Sequence, residues 1–331
     1  MEVMFAVLFF LAVLGTFGAN HATEQGSPSG SPTASPFSRQ YREGEKISYH
    51  MKATNKDHLE TSSYEAQADG VVKKDAAGHF YEEYQWSGVV WNGQTAQVPA
   101  GFRQILSLDP NSRPQLPDLQ HGGPDLVGPT LDLFTFYTDL GIALRNPALK
   151  AAGDHAYVKW GGPNSWAAGE GLILGEDSID FDLTVQSVDH EKGTASLLVR
   201  HVPPPDPKIH LPAEWMHTPV ADTPNNWVEV GKNASGEYRV SIGKETFDDV
   251  IVISLVDGRI LSATMDNPVQ VLERQCSDAA LTACGKPIRY EIRRQIEITT
   301  TQQTRVAQPY CRRSPAIARV YPTLSQVYWF V

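Results

Sequence analysis

A period-two alternation of apolar and polar residues runs through much of this sequence and limits the fold more than any other feature. The stretch at residues 288–298, IRYEIRRQIEI, places four isoleucines and a tyrosine on one side and mostly charged side chains on the other. Successive side chains of a β-strand point to opposite faces, so this pattern is typical of a half-buried strand. Similar runs recur from residue 46 onward, joined by short turns such as NASGE and VDGR, and they predict a continuous antiparallel meander.

One segment, GPTLDLFTFYTDLGIALRNP at residues 128–147, departs from this alternation. Pro129 suits the first turn of a helix, and Asn146 with Pro147 ends it. Its wide apolar face consists of Leu133, Phe136, Tyr137, Leu140 and Leu144, beside a narrow polar stripe of Asp132, Thr135 and Asp139. A helix with so wide an apolar face must be covered. We therefore expect a mainly β fold in which a large curved antiparallel sheet, a half-barrel-like meander, wraps around one long apolar helix.

The N-terminal residues predict export. Residues 1–22 contain an apolar run from Met4 to Leu14 followed by small residues, as in a secretory signal peptide. The segment before the run has Glu2 and no Lys or Arg, so a membrane anchor and a misplaced start codon stay open as alternatives. We predict a periplasmic or extracellular protein whose mature chain has no transmembrane span.

Composition divides the rest of the chain into three parts. Residues 23–40 are rich in Ser, Pro and Gly and are expected to form a disordered leader. Residues 41–300 carry the strand pattern and are expected to form a single β-rich domain. Residues 301–331 have four arginines and no acidic residue, and we expect an atypical C-terminal tail.

The cysteines agree with export. Cys276 and Cys284 are separated by seven residues, and in an oxidising compartment this spacing predicts a disulfide. Closing so small a loop stabilises the fold by about 2.5 kcal/mol on the chain-entropy model. Cys311 is left without a predicted partner.

Several classes of function are disfavoured. The net charge is −10 and no Lys/Arg-rich run precedes the tail, which argues against nucleic acid as a partner. The glycine-rich stretch WGGPNSWAAGEG does not lead into a helix as a phosphate loop would, and we predict no cofactor. His210, Glu214 and His217 lie near Pro212, which prevents a long helix with its ligands on one face, so we predict no metal site.

No nucleophile motif stands out, since neither G-x-S-x-G nor S-x-x-K occurs in a convincing setting. We therefore predict no catalytic residues. A triad built from distant residues would be invisible at this level, because geometry defines it. Two alternatives stay open: a hydrolase acting on envelope material with His201, His210 or His217 as base, and a structural or interaction module with protein partners that the sequence does not identify.

Three polar residues fall out of phase with the alternation. Glu82, His201 and Arg294 each share a strand face with apolar neighbours, where an isolated charge would be costly. Each is therefore expected at a rim, in a pair or lining a polar cavity, and a Glu82–Arg294 ion pair is one hypothesis. If a lipophilic ligand binds between helix and sheet, the predicted lining residues are Glu82, Tyr84, Trp86, Leu133, Phe136, Leu140, His201 and Arg294.

Four stretches, GEDSIDFDLTV, LLVRHVPP, VADTPNNWVEV and SLVDGRILSATMDNPVQVLERQC, resemble an uncharacterised group of secreted bacterial β-rich proteins. The resemblance covers most of residues 41–300, and the tail departs from it. The group has no assigned activity, so the resemblance implies no catalytic residues. In outline, a meander with one helix is similar to the half-barrel of periplasmic lipoprotein carriers, an analogy of architecture without a shared motif.

Overall fold

The fold is given by a computed structural model, which describes residues 35–112, 119–164, 177–204, 211–223, 225–233 and 235–301. The predicted signal peptide lies outside these residues, as do His210, Cys311 and all of the tail except residue 301.

The described residues form thirteen strands, two α-helices and a 3-10 turn. The strands are β1 (Lys46–Lys56), β2 (Thr61–Lys74), β3 (Phe80–Trp91), β4 (Gln94–Thr95), β5 (Gln104–Leu106), β6 (His155–Asn164), β7 (Asp177–Asp189), β8 (Thr194–Val202), β9 (Trp227–Lys232), β10 (Tyr238–Glu245), β11 (Phe247–Ser254), β12 (Ile260–Cys276) and β13 (Ile288–Thr300). The helices are α1 (Leu119–Gly122) and α2 (Pro124–Leu144), and the 3-10 turn is Glu214–His217.

The strands belong to one large antiparallel sheet, as the alternation predicts. Its main order is β4-β3-β2-β1-β13-β12-β11-β8-β7-β6, with β5 on β3, β10 on β12 and β9 on β10. The two ends of this order do not pair with each other, so the sheet is not closed in the described residues. The order also differs from one continuous meander, because β13 pairs with β1 and β11 pairs with β8.

The core lies on the face of the sheet that meets α2. Across the central strands the register sets Ala53, Ile296, Met265, Asp249 and Val199 side by side. All of these except Asp249 belong to the main hydrophobic cluster, which also contains apolar residues of α2. We call this surface the helix-side face.

Helix α2 begins five residues before the predicted start. Pro124 occupies the first turn, after Gly123 at φ 74°, and Pro129 lies inside the helix. Proline has no N–H to donate to the carbonyl four residues earlier, that of Asp125. The Trp91 indole N–H donates to this carbonyl at 2.8 Å, so the group that Pro129 leaves open is satisfied by the sheet.

The buried surface of α2 includes charged residues. Asp132 and Asp139 of the predicted polar stripe are 0% and 1% exposed, alongside Leu133, Phe136 and Leu140. The helix therefore meets the sheet through a mixed surface in which each acid needs a partner.

The folded region extends to residues before the predicted boundary at 41. Phe37 is buried in the main cluster, and the Gln40 N–H donates to the Asp257 carbonyl at 2.7 Å. Arg39 is also buried. Residues 35–40 thus pack against the domain.

The predicted disulfide joins Cys276 at the end of β12 to Cys284. Near it, the Trp215 indole donates to the Leu281 carbonyl at 2.8 Å. A second apolar cluster containing Met216 and Leu281 surrounds this region. None of the helices in the described ranges combines the length and hydropathy needed to cross a bilayer.

Candidate functional site

The three polar residues that break the strand pattern all lie around α2. Glu82 is on β3, His201 on β8 and Arg294 on β13. Each of them contacts a polar side chain of the helix, namely Tyr137, Asp139 and Asp132 respectively. The hypothesis of a Glu82–Arg294 ion pair is wrong, because each of these residues is paired with another partner.

Glu82 lies at the centre of a buried network. Its Oε1 accepts from Arg39 Nε at 3.2 Å, and its Oε2 accepts from the hydroxyls of Tyr84, at 2.8 Å, and Tyr137. Burial raises the pKa of Glu82, although Arg39 and the two tyrosines act in the opposite direction. Burial and the Glu82 charge together raise the pKa of Tyr137, so this hydroxyl remains a donor.

Arg39 is the counter-charge in this network. Its guanidinium also donates to Glu45 Oε2 at 3.0 Å and to the carbonyls of Gln40, at 2.9 Å, and Asp257, at 3.3 Å. Burial alone would lower the pKa of Arg39, but Glu82 and Glu45 outweigh it and the pKa is raised. Sequence reasoning missed Arg39 because it lies in a segment whose composition indicates disorder.

Arg294 ties β13 to α2. Its Nη2 donates to both carboxylate oxygens of Asp132, at 2.6 and 2.8 Å, and Tyr64 OH donates to Asp132 Oδ2 at 2.5 Å. Burial, followed by the Asp132 charge, raises the pKa of Tyr64. Asp132 is fully buried, so the ion pair provides the charge balance that such a carboxylate requires.

His201 makes the third contact with the helix. Its Nε2 lies 2.8 Å from Asp139 Oδ2. The imidazole stacks on Phe247, with ring centroids 4.1 Å apart, and meets Phe181 edge-on at 4.9 Å. These contacts fix the ring beside α2.

A fourth polar residue, Asp249, lies on the helix-side face. It is 0% exposed, opposite Met265 on β12 and Val199 on β8. No N–H or hydroxyl donor among the described residues hydrogen-bonds to its carboxylate oxygens, and its side-chain partner is the Asp139 carboxyl, with which a protonated Asp249 shares its proton. Burial, and then the charge of Asp139, raise the pKa of Asp249 well above its ordinary value. Sequence reasoning missed it, although it shares an apolar strand face with Phe247 and Ile251 in the same way as Arg294 does with Ile292 and Ile296.

The apolar candidates lie in the same region. Tyr84, Leu133, Phe136 and Leu140 are 0% exposed and Trp86 is 2% exposed. The Trp86 indole donates to Gln104 Oε1 at 3.1 Å, and the Gln104 amide donates to the carbonyl of Thr130 in α2 at 2.8 Å. All eight residues predicted to line a ligand site therefore belong to α2 or to strands whose polar side chains contact it. Whether they line a ligand site stays a prediction.

The remaining histidine candidate in the described chain lies elsewhere. His217 is exposed, and its Nε2 lies 3.0 Å from the Leu211 carbonyl. Within the ranges that the structure describes, no group of three or more His, Cys, Asp and Glu side chains is arranged to hold a metal ion.

No protein-family model and no curated protein matches this chain. Among solved structures, the complex of Pseudomonas aeruginosa MucA and MucB matches 78% of this chain and 89% of that chain, at 11% identity and a TM-score of 0.14. MucB in complex with MucA(peri) matches 77% of this chain and 89% of that chain, at 12% identity and a TM-score of 0.13. Similarities at these TM-scores establish neither a shared fold nor a shared function.

Proposed function

We propose that this protein is an exported, non-catalytic binding protein that takes a lipophilic ligand between the helix-side face of its open sheet and helix α2. In this account α2 is a movable cover. The observation that supports it is that polar side chains from three separate strands, Glu82, His201 and Arg294, each contact this one helix.

The contacts set the orientation of the helix. Asp132 and Asp139 are seven residues apart, which is close to two helical turns, so they lie on one side of α2 about 10 Å apart. Tyr137 projects from a different side of the helix, towards Glu82. Three contacts from two sides define both the rotation and the axial position of α2.

Polar contacts of this kind are suited to a cover that separates and returns. A buried ion pair adds little net stability compared with apolar packing of the same volume, because desolvation offsets much of the attraction. It does penalise alternative registers, in which buried charges would lose their partners. An interface with one ion pair and two further polar contacts is therefore specific without being as strong as a wholly apolar one.

The surface beneath the cover matches a lipophilic ligand. On the helix, Leu133, Phe136 and Leu140 are fully buried, and on the sheet Met51 and Leu197 are 0% and 1% exposed. If α2 moves away, these side chains become exposed to water, which costs about 25 cal/mol of free energy for each Å² of apolar surface exposed. An alkyl chain placed between helix and sheet would replace those contacts.

The disulfide supports the export part of the proposal. Cys276 and Cys284 are bonded to each other, and such bonds persist in oxidising compartments.

The hydrolase alternative would use His201 as a base. Its Nε2 faces Asp139 and its ring is packed against Phe247 and Phe181, contacts that serve to hold α2 against the sheet. Activity lost in His201→Ala but retained in His217→Ala would favour this alternative over a binding protein.

The test is to purify the protein natively from the exported fraction and analyse bound material by mass spectrometry, together with titration of a neutral fluorescent lipophile such as Nile red. We expect a reproducible co-purifying lipophile or saturable uptake of the probe. Leu140→Ala should weaken uptake, whereas Leu59→Ala should not, because Leu59 is 78% exposed. A folded protein that is empty and takes up no probe would contradict the proposal, and a stable protein partner in pull-downs would then favour the interaction module.

A further inference from the structure

We infer that residues 35–40 form an N-terminal strap that locks helix α2 in its closed position through Arg39 and Glu82, so that freeing the strap opens the cover. This inference rests on the proposed function, because it identifies what regulates the opening of the same ligand site.

The strap packs against the turn that follows β11. The Gln40 N–H and the Arg39 guanidinium both donate to the Asp257 carbonyl, at 2.7 and 3.3 Å. Gly258 leaves the space that this contact requires, because a Cβ atom there would lie 2.5 Å from the Ser38 carbonyl oxygen and 2.7 Å from Arg39 Cα. The turn therefore holds the backbone of the strap as well as a side chain.

Arg39 links the strap to the interior of the protein. Its side chain is 1% exposed, and its Nε donates to Glu82 Oε1 at 3.2 Å. In the described part of the chain, no other basic side chain forms an ion pair with Glu82. Glu82 is itself 1% exposed, so its buried charge depends on a guanidinium that the strap supplies.

Glu82 transmits this contact to α2. Its Oε2 accepts from the hydroxyl of Tyr137, which projects from the helix. If Arg39 is lost, burial becomes the main influence on Glu82 and raises the pKa of its carboxyl group. A protonated Glu82 binds Tyr137 less strongly than a carboxylate does, because hydrogen bonds to ionised groups are the stronger ones. The strap therefore sets the strength of the Tyr137 contact.

The other two polar contacts of α2 come from strands instead of the strap. Arg294 of β13 contacts Asp132, and His201 of β8 contacts Asp139. Freeing the strap thus weakens one of the three contacts and leaves two, which favours a partly released helix over an unfolded protein. Coupling between two sites is reciprocal, so ligand binding beneath α2 should in turn loosen the strap.

The experiment is a titration of the full exported protein with Nile red, comparing wild type with Arg39→Met. This variant keeps the apolar stem and removes the charge, and we expect about tenfold higher probe affinity because a larger fraction of the protein is open. Arg259→Met is the matched control, because Arg259 contacts Glu45 and Asp257, as Arg39 does, whereas Glu82 is paired with Arg39. The control should stay within about twofold of wild type, since ion pairs this exposed contribute little.

A double-mutant cycle separates this route from general destabilisation. If Arg39 acts through Tyr137, introducing Arg39→Met into Tyr137→Phe should raise the probe affinity by less than about twofold. Hydrogen exchange of the Gln40 amide in wild type gives a second reading that needs no variant. Saturating Nile red should increase this exchange, because the amide donates to Asp257 only while the strap is in place.

The outcomes separate the two proposals. Three results would each overturn the inference and leave the lipophile-binding function standing: equal probe affinity of wild type and folded Arg39→Met, an Arg39→Met effect that persists undiminished in Tyr137→Phe, or unchanged Gln40 exchange in saturated wild type. If Arg39→Met does not fold, the exchange of the Gln40 amide decides. If folded wild-type protein takes up no Nile red, the proposed function fails and the inference fails with it.

Discussion

The half-buried Arg294 and the fully buried Asp132 form an ion pair in which one guanidinium nitrogen, Nη2, donates to both carboxylate oxygens, at 2.6 and 2.8 Å. The two residues are 162 positions apart in the chain and connect strand β13, which lies between β1 and β12 in the sheet, to helix α2. With Glu82–Tyr137 and Asp139–His201, the pair fixes the helix against the sheet.

Replacing Arg294 tests how much this ion pair contributes to the free energy of unfolding. Arg294→Met keeps the apolar stem but leaves Asp132 buried without a counter-charge, and we expect a loss of about 3 kcal/mol in the free energy of unfolding. Adding Asp132→Asn should recover most of this loss, because Asn still accepts from Tyr64 and is neutral. Urea denaturation measures both changes. Arg293→Met, at the exposed pair with Asp266, is the control and should change stability much less; an equal effect would mean that the pair with Asp132 has no special role.

The hydroxyl of Tyr137 gives a second, independent test of the helix contacts. Tyr137→Phe removes one donor to the buried Glu82 carboxyl without opening a large cavity, and we expect a loss of about 1–2 kcal/mol. Tyr238→Phe is the control, since that ring lies over Lys232 away from the network. Equal stabilities of the two variants would show that Tyr137 does not hold Glu82.

The pH dependence of stability follows from Glu245. Burial raises its pKa to about 8, although Asn267 donates to Oε1 at 2.8 Å. An acid whose pKa is higher in the folded state than in the unfolded state binds more protons when folded, so its contribution to stability is fully present below the unfolded pKa. That contribution is lost as the pH rises through the folded pKa.

The free energy of unfolding of wild type should therefore fall, relative to Glu245→Gln, between about pH 4.5 and about pH 8. Chemical denaturation at several pH values gives this difference, and groups common to both proteins cancel. If the difference is constant across the range, Glu245 does not titrate as its burial indicates.

The disulfide should stabilise the second apolar cluster, which contains Met216 and Leu281. Replacing Cys276 and Cys284 with serine should lower the free energy of unfolding by about 2.5 kcal/mol, because the short loop between them is no longer closed. Trp215 should report the local loosening by fluorescence, because its indole donates to Leu281 inside that loop. Reductant should reproduce the effect in wild type and leave the double-serine variant unchanged; no effect in wild type would contradict the prediction.

Local patterns predicted the strands but not their arrangement. Each strand carries its own alternation, so β13 can be recognised from its first eleven residues alone. Alternation does not specify a partner, and the pairing of β13 with β1 depends on residues far apart in sequence. The start of α2 was misplaced because Pro129 resembles a first-turn proline, and only the folded sheet supplies Trp91 to satisfy the carbonyl that this proline leaves open.

The candidate site was partly predictable for a similar reason. Glu82, His201 and Arg294 are visible because they interrupt an apolar strand face, and Asp249 meets the same criterion. Their partners are not visible: Arg39 lies in a segment of disorder-prone composition, and Asp132 and Asp139 have the spacing of an ordinary solvated helix stripe. The sequence therefore identifies which strand positions need partners, and the fold determines what those partners are.

The most direct test of the account is hydrogen exchange of the amides of α2, residues 124–144, measured with and without a saturating neutral lipophile. If α2 is a movable cover, ligand binding should increase exchange along the helix while the amides shared between β1 and β2 stay protected. Unchanged or stronger protection of α2 in protein shown to be saturated would contradict the account.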